Sequence, residues 1–378
     1  MSDALVTLSQ VAREAGVSLA TASRAINGSA TRSVREDLRE RVLETARRLG
    51  YSPDPSAQAM ARGRTTALGL VVHDIADPYF STIAAGVARA AERAGLIVTL
   101  ASTEHSAERE LAFVELARRQ RSRAIILAGG RLEPDGGQTP VDDVRPASGA
   151  LEAALNAFQE AGGGVALIGQ PIGGLPVVEI ANADGAADLA RALHGLGYRR
   201  FAVLAGPRGH RTAADRTTGF TGALAQLGSP VAPDDVLACS FTRDGGYSAM
   251  RDLIGRADGS APSAADADPQ SGRAAPGTVR LPELVFAVND VMAVGAMAAA
   301  RDAGLSVPDD VAVAGFDDIH TLRDVSPGLT TVRIPLAEVG ELATDLALGQ
   351  TGDAGTPVRG EVVLRESTPN RLGRDRRR

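Results

Sequence analysis

The chain of 378 residues contains no lysine and no tryptophan; all 40 of its cationic residues are arginine. Without lysine there is no Walker A cation, no Schiff base and no Ser–Lys nucleophile pair. Without tryptophan, any stacking on a ligand must use Phe or Tyr. The single cysteine, Cys239, excludes an internal disulfide and fits a reducing cytoplasm. No apolar run reaches the roughly 20 residues a bilayer span needs, so no membrane association is expected. The opening MSDALVTLSQ has no basic segment followed by an apolar stretch, so no secretory signal is read. The five histidines, at 73, 105, 194, 210 and 320, show no metal-ligand spacing. There is no G-x-S-x-G elbow and no P-loop, and the glycines at 162–164 read as loop. An enzyme is therefore not expected, and no cofactor or metal is.

The length suggests two or three domains. The net charge of −6 is unevenly spread: +3 over residues 1–64, +4 over the last eight residues and −13 between them. Positive charge at the front is what a segment meeting phosphates needs. The basic tail, residues 371–378, either helps there or is a solvated, disordered end.

Residues 7–28 read TLSQVAREAGVSLATASRAING. Thr7 and Gln10 form a capping box for a first helix, and Leu8, Val11, Ala12 and Ala15 share one face. Gly16 breaks that helix. Ser18 is an N-cap for a second helix from Leu19 to Asn27, with Gly28 at the C-terminal glycine position. Two short helices around a tight turn make a helix-turn-helix, whose second helix can enter a major groove. Ala22, Ala25 and Ile26 pack inward; Leu19, Ala20, Thr21, Ser23 and Arg24 remain to face DNA. The alternative is a helical hairpin with no ligand. Ser33 and Glu36 form a second capping box, and a third helix ends at Gly50 and Pro53. Arg24 can bond bidentately to guanine, or it can contact a phosphate.

Beyond Arg64 apolar runs alternate with helical segments. Strands are predicted at 67–72, 96–101, 124–129, 165–169, 177–181, 201–206, 284–288 and 311–316. Helices are predicted at 80–94, 107–119, 150–160, 185–196, 217–227, 247–254 and 291–303. Strands spaced by helices imply parallel sheets. Their number suggests two doubly wound subdomains. Residues 133–148 and 257–279 look inserted, and the composition of the second predicts a disordered loop.

The blocks VAREAGVSLATASRAING, LGYSPDPSAQAM, ADPYFSTIAAGVARAAERAG, FAVND, VAGFDD and LTTVRIP, in this order, resemble the lactose-repressor (LacI/GalR) family of bacterial transcription regulators from Val6 to about Pro369. The resemblance implies an all-α helix-turn-helix headpiece (1–52), a hinge helix or linker (53–64) and an α/β core of two doubly wound parallel-sheet subdomains, periplasmic-binding-protein type I-like (65–370). The first lobe would hold 65–181 and 335–357, the second 182–333 and 358–370. Crossings between them are expected near Asn182, Asp318 and Arg333.

On this resemblance Leu19 and Ala20 match the positions that choose the operator. Both are apolar here, so they can touch thymine methyls but cannot donate hydrogen bonds. Thr21, Ser23 and Asn27 match backbone-positioning residues, with Thr7 and Ser18 as caps that also reach DNA. Ala57 and Met60 match hinge positions whose apolar side chains wedge a base step open in the minor groove. Leu38 stands where a Thr is common, a departure that bears on phosphate contacts. For the effector, Arg216, Asn289 and Asp317 match ligand-gripping positions, Tyr79, Phe80 and Phe241 match stacking aromatics, and Asp74 ends the first strand. Asp290 is read as a helix cap.

The implied function is a homodimeric, ligand-responsive regulator that reads near-palindromic operator DNA in the cytoplasm, associated with the nucleoid. Most specifically it is a repressor of a carbohydrate-utilisation operon released by a small-molecule effector, a sugar. The alternative is a sugar- or nucleoside-binding protein of a transport or sensing system without DNA regulation.

Overall fold

A computed structural model of the chain describes residues 6–27, 34–52, 65–131, 145–257, 281–351 and 355–372. Three helices form the front: α1 (Leu8–Glu14), α2 (Leu19–Asn27) and α3 (Glu36–Leu49). The capping box at α1 is present, with Thr7 N–H donating to Gln10 Oε1 at 2.8 Å and Gln10 N–H to Thr7 Oγ1 at 3.3 Å. Gly16 takes φ +64° in the turn, a left-handed conformation that suits glycine. Val11, Ala12, Ala15, Ala22, Ala25, Val42 and Ala46 are buried together as a separate small core.

The capping box expected at Ser33 and Glu36 is not how α3 starts. Arg35 occupies the N-cap without a side-chain bond to the helix backbone, its guanidinium pairing with Asp37 instead, so Glu36 is the first helical residue. The acids Glu36 and Asp37 in the first turn face the helix's positive end, which substitutes charge for a hydroxyl cap. Ser33 itself, Gly28 and the whole 53–64 linker, including Ala57 and Met60, lie outside the described residues.

The first lobe begins with β1 (Ala67–Val72), α4 (Pro78–Arg93), β2 (Ile97–Ser102), α5 (Ala107–Arg119) and β3 (Ala124–Gly129), then α6 (Arg145–Glu160), β4 (Gly164–Gly169) and β5 (Val177–Val178). Its sheet runs β2-β1-β3-β4-β5, all parallel. The second lobe holds α7 (Asn182–Gly195), β6 (Phe201–Gly206), α8 (Arg211–Gln226), β7 (Val236–Ala238), α9 (Arg243–Ala257), β8 (Leu284–Ala287), α10 (Asp290–Asp302) and β9 (Ala312–Ala314). Its sheet runs β7-β6-β8-β9, also parallel. Both are doubly wound, as the alternation of apolar runs and helices requires.

Several predicted elements differ in length. The strand expected over 177–181 shortens to two residues, and that over 311–316 to 312–314. The segment 133–148 is not all loop, because α6 already begins at Arg145. Residues 132–144 and 258–280 lie outside the described residues, and with them all but the first residue of the second insertion, where disorder is expected.

After β9 the chain forms β10 (Thr331–Arg333) and returns to the first lobe as α11 (Leu336–Ala347), which packs on α4 and β4. It comes back through Val358, bridged to Ile180, into β11 (Glu361–Val363), antiparallel to β10. The connections are therefore near Asn182, at Arg333–Leu336 and at Val358–Glu361. Asp318 is not one of them. Its carboxylate instead holds Arg333 (2.7 Å) of β10 and Arg365 (2.6 Å), just past the β11 strand at Glu361–Val363.

Glycines let paired helices touch backbone to backbone. Gly86 of α4 faces the Ala337 carbonyl of α11, and Gly340 of α11 faces that of Ile83. Gly219 of α8 faces Ala183 of α7, while Gly246 of α9 and Gly295 of α10 face Met292 and Arg243. A Cβ at any of these would overlap the opposing backbone.

Candidate effector cleft and DNA-reading helix

Arg216, on α8, is buried at 1 % exposure. Its Nε donates to Asn182 Oδ1 (2.8 Å), Nη1 to the Val288 carbonyl (2.7 Å) and Nη2 to Asp317 Oδ1 (2.8 Å). The guanidinium lies 4.0 Å over the Phe316 ring. A guanidinium has five N–H donors, so these partners leave only a minority for a ligand. The resemblance implies an arginine that grips a ligand; the structure shows that its guanidinium also clips together the start of α7, the end of β8 and the loop after β9. Asp317 takes φ +117° to reach it. Burial pushes the Asp317 carboxyl up, and Arg216 opposes that shift.

This clip floors a cleft of about 540 Å³. Asp74, Tyr79, Phe80, Arg216, Phe241, Asn289 and Asp317, all singled out from the sequence, line it together. Asp74 is exposed and caps its own turn, its Oδ1 accepting from Ala76 N–H at 2.8 Å. Asn289 is the N-cap of α10, its Oδ1 accepting from Met292 N–H at 2.9 Å. Capping was expected of Asp290. That residue instead bonds the Ile319 N–H (3.0 Å) and the Thr331 hydroxyl (2.7 Å), and burial raises its pKa to about 6. Asp290 is thus a structural tie, and Asn289 brings only its amide NH₂ to the cleft.

Three histidines join this wall although their spacing in the chain announces nothing: His73, His105 and His210. His73 stacks on His105 at 4.1 Å and meets Phe80 edge-on. His210 stacks on Phe241 at 4.7 Å, and its Nδ1 caps α8 by accepting from Ala213 N–H. Burial is the main cause that lowers the His73 pKa to about 3 and that of His210 to about 4. Both nitrogens of His73 are buried without a hydrogen-bond partner among the described residues. The arrangement is two flat ring stacks, uncharged at neutral pH, beside a polar floor.

On α2, Leu19 is 51 % exposed and Ala20 is exposed, while Thr21, Ser23, Arg24 and Asn27 are partly covered. Ser18 caps the helix, with Thr21 N–H donating to its Oγ at 3.1 Å. Asn27 Nδ2 donates to Ser23 Oγ, and Arg24 Nε to the Ala20 carbonyl at 2.9 Å. That bond uses one edge of the Arg24 guanidinium.

Residues 7–54 match the family model described as bacterial regulatory proteins, lacI family. Residues 65–265 match the periplasmic binding proteins and sugar binding domain of the LacI family, and 190–368 a periplasmic binding protein-like domain. The chain is 32 % identical over 354 residues to the HTH-type transcriptional regulator GalS of Salmonella typhimurium, covering 93 % of this chain and 91 % of the relative. It is 30 % identical over 367 residues to the HTH-type transcriptional repressor CytR of Escherichia coli, covering 96 % of each. A solved transcriptional regulator CelR–cellobiose complex is similar at 29 % identity and TM-score 0.60, covering 96 % of this chain and 99 % of that one. The lac repressor dimer bound to operator shares the fold at 23 % identity and TM-score 0.74, over 97 % of this chain and 100 % of that one. The helix-turn-helix front and the two parallel-sheet lobes thus occur here in the order those relatives have them, and the chain belongs to the LacI family of bacterial transcription regulators.

Proposed function

We propose that this regulator acts as a cytoplasmic homodimer and a repressor. Its paired α2 helices read a near-palindromic operator, and a small-molecule effector in the cleft releases it. The observation that carries the reading is one chain holding both a capped, exposed recognition helix and a cleft set at the connections between two lobes. A ligand there changes DNA affinity only as far as it binds the two lobe arrangements differently. The proposed DNA contacts are Thr7, Ser18, Leu19, Ala20, Thr21, Ser23, Arg24 and Asn27, with Ala57 and Met60 as the wedge.

The effector is a neutral polyhydroxylated molecule, a sugar. Carboxylates of Asp74, Asp77 and Asp317 line the cleft. Its cations are already engaged, Arg216 by Asp317 and Arg243 by Asp244. An anion would meet net repulsion, whereas hydroxyls find acceptors and donors side by side, and Phe80 and Phe241 offer faces to a ring. The cellobiose complex of a relative supports the same class. No helix among the described residues is long and apolar enough to cross a membrane. A thermal-shift screen over sugars and nucleosides tests the proposal. A true effector at 100 times its dissociation constant stabilises by about 2.7 kcal/mol and loosens the protein from duplexes it selects from a random pool. A compound that stabilises without loosening DNA would sink the inducer reading.

A further inference from the structure

Residues 118–123 read RRQRSR: four arginines in six positions with no acid. They lie at the end of α5 and the turn into β3, where the core receives the chain from the linker. The first described residue after that linker, Thr65, donates its N–H to the Arg121 carbonyl at 3.0 Å and its hydroxyl to the same oxygen at 3.3 Å. Arg123 N–H donates to the Ala67 carbonyl at 2.7 Å. Arg118, Arg119 and Arg121 are exposed, and Arg123 is partly so. Arg119 has Glu115 at 3.4 Å; Arg118, Arg121 and Arg123 have no carboxylate partner among the described residues. Twelve residues separate Ser52 from Thr65, so the start of the core stays within roughly 47 Å of the headpiece's end.

The topology makes this concentration of charge meaningful. In a parallel α/β lobe, helices run against the strands, so strand starts and helix ends share one face. Helix ends carry partial negative charge. The face from which the linker leaves would by its backbone alone repel a polyanion. The arginine run reverses that sign at the point where the linker from the headpiece joins the lobe.

We propose that the 118–123 arginines form a second DNA-contacting surface of this chain, one that meets backbone phosphates of the duplex bound by the helix-turn-helix. The proposal rests on the DNA-binding reading above. Phosphate contacts position a protein without reading sequence, so this surface adds affinity for any duplex and sharpens no base preference.

The test uses the full-length chain, a duplex selected by the wild-type protein from a random pool, and a scrambled duplex. Binding is followed by fluorescence anisotropy across about 50–200 mM salt. R118Q/R121Q is expected to weaken both duplexes by the same factor, about three- to tenfold. The slope of log affinity against log salt should become shallower by about 0.9 for each phosphate that is no longer neutralised. R118E/R121E should enlarge both effects, and R191Q, on the second lobe, should show neither. The melting temperature of the free protein should not change. Wild-type affinity and slope in both double variants would overturn the proposal. So would a drop in melting temperature with an unchanged slope, which would assign the arginines to offsetting helix-end charge. A weakening confined to the selected duplex would also refute a phosphate role. If the wild-type chain enriches no duplex, the regulatory reading falls first and this surface with it.

Discussion

Replacing Arg216 with Met separates a structural clip from a ligand contact. The change removes hydrogen bonds to Asn182, Val288 and Asp317. It strands Asp317, 4 % exposed, without its counter-charge. Removing one partner of a buried ion pair costs about 3–5 kcal/mol, because the remaining charge stays out of water. Each kcal/mol moves Tm by roughly 2–4 °C in a domain of 150–250 residues, so a fall on the order of 10 °C is expected. The deficit should depend on pH. Burial raises the Asp317 pKa and Arg216 counters it; without Arg216, burial and the neighbouring Asp290 and Asp77 carboxylates push it up unopposed. With Arg216 present the Asp317 pKa is already raised to about 8, so wild type and variant lose stability in parallel below that pH. The deficit relative to wild type therefore grows only above about pH 8, by up to about 1.4 kcal/mol per unit. Adding Asp317→Asn removes the stranded charge and should recover most of the stability. Asp317→Asn alone keeps an acceptor for Arg216 and should fold well while losing effector response. Urea denaturation from pH 6 to 10 measures all three variants. Additive single effects, or a deficit that ignores pH, would refute the clip.

Arg24→Ala should cost roughly 1–3 kcal/mol of operator affinity and relax selection at one base pair per half-site; repeated site selection reads this, and an equal weakening on all sequences would assign Arg24 to phosphate. His73 and His210 have pKa values lowered by burial to about 3 and about 4. Their neutral burial contributes stability above the unfolded pKa that is lost as pH falls through about 6.5 toward 4. His73→Phe or His210→Asn should therefore each flatten the acid limb of the stability profile by up to one proton; an unchanged slope would contradict the burial. The fragment from residue 65 onward should keep effector-induced thermal stabilisation and lose selective DNA binding, and retained selectivity would move the DNA contact out of the headpiece.

What the sequence reveals here is whatever hydrogen-bonds or packs locally. The Thr7 capping box, the Ser18 cap and the strands at 67–72, 124–129 and 201–206 stand where their patterns put them. Helix starts are harder to read. The α8 helix begins at Arg211, ahead of the expected Thr217, because His210 caps it, and histidine is not among the usual capping residues. The α9 helix starts at Arg243 instead of Tyr247 because Gly245 and Gly246, which look like breakers, sit where neighbouring backbone comes close. In the cleft, the motif residues are legible one at a time and do converge. The Arg216–Asp317 clip is not legible, since it joins positions 101 residues apart. Nor are the histidine stacks, which arise from separate loops brought together only by the two sheets.

The glycine seams between paired helices have a mechanical consequence. Helices that touch through bare backbone have no intervening side chains to repack, so neither lobe offers a soft internal layer to absorb strain. Each behaves as a stiff plate. Strain from the cleft would then fall on the segments linking the plates, near Asn182, Arg333 and Val358. Compliance is confined to a hinge line, and a small ligand's displacement at one edge of a plate is magnified in proportion to the distance at the opposite edge, where Thr65 takes up the chain that leads to the DNA-reading helices.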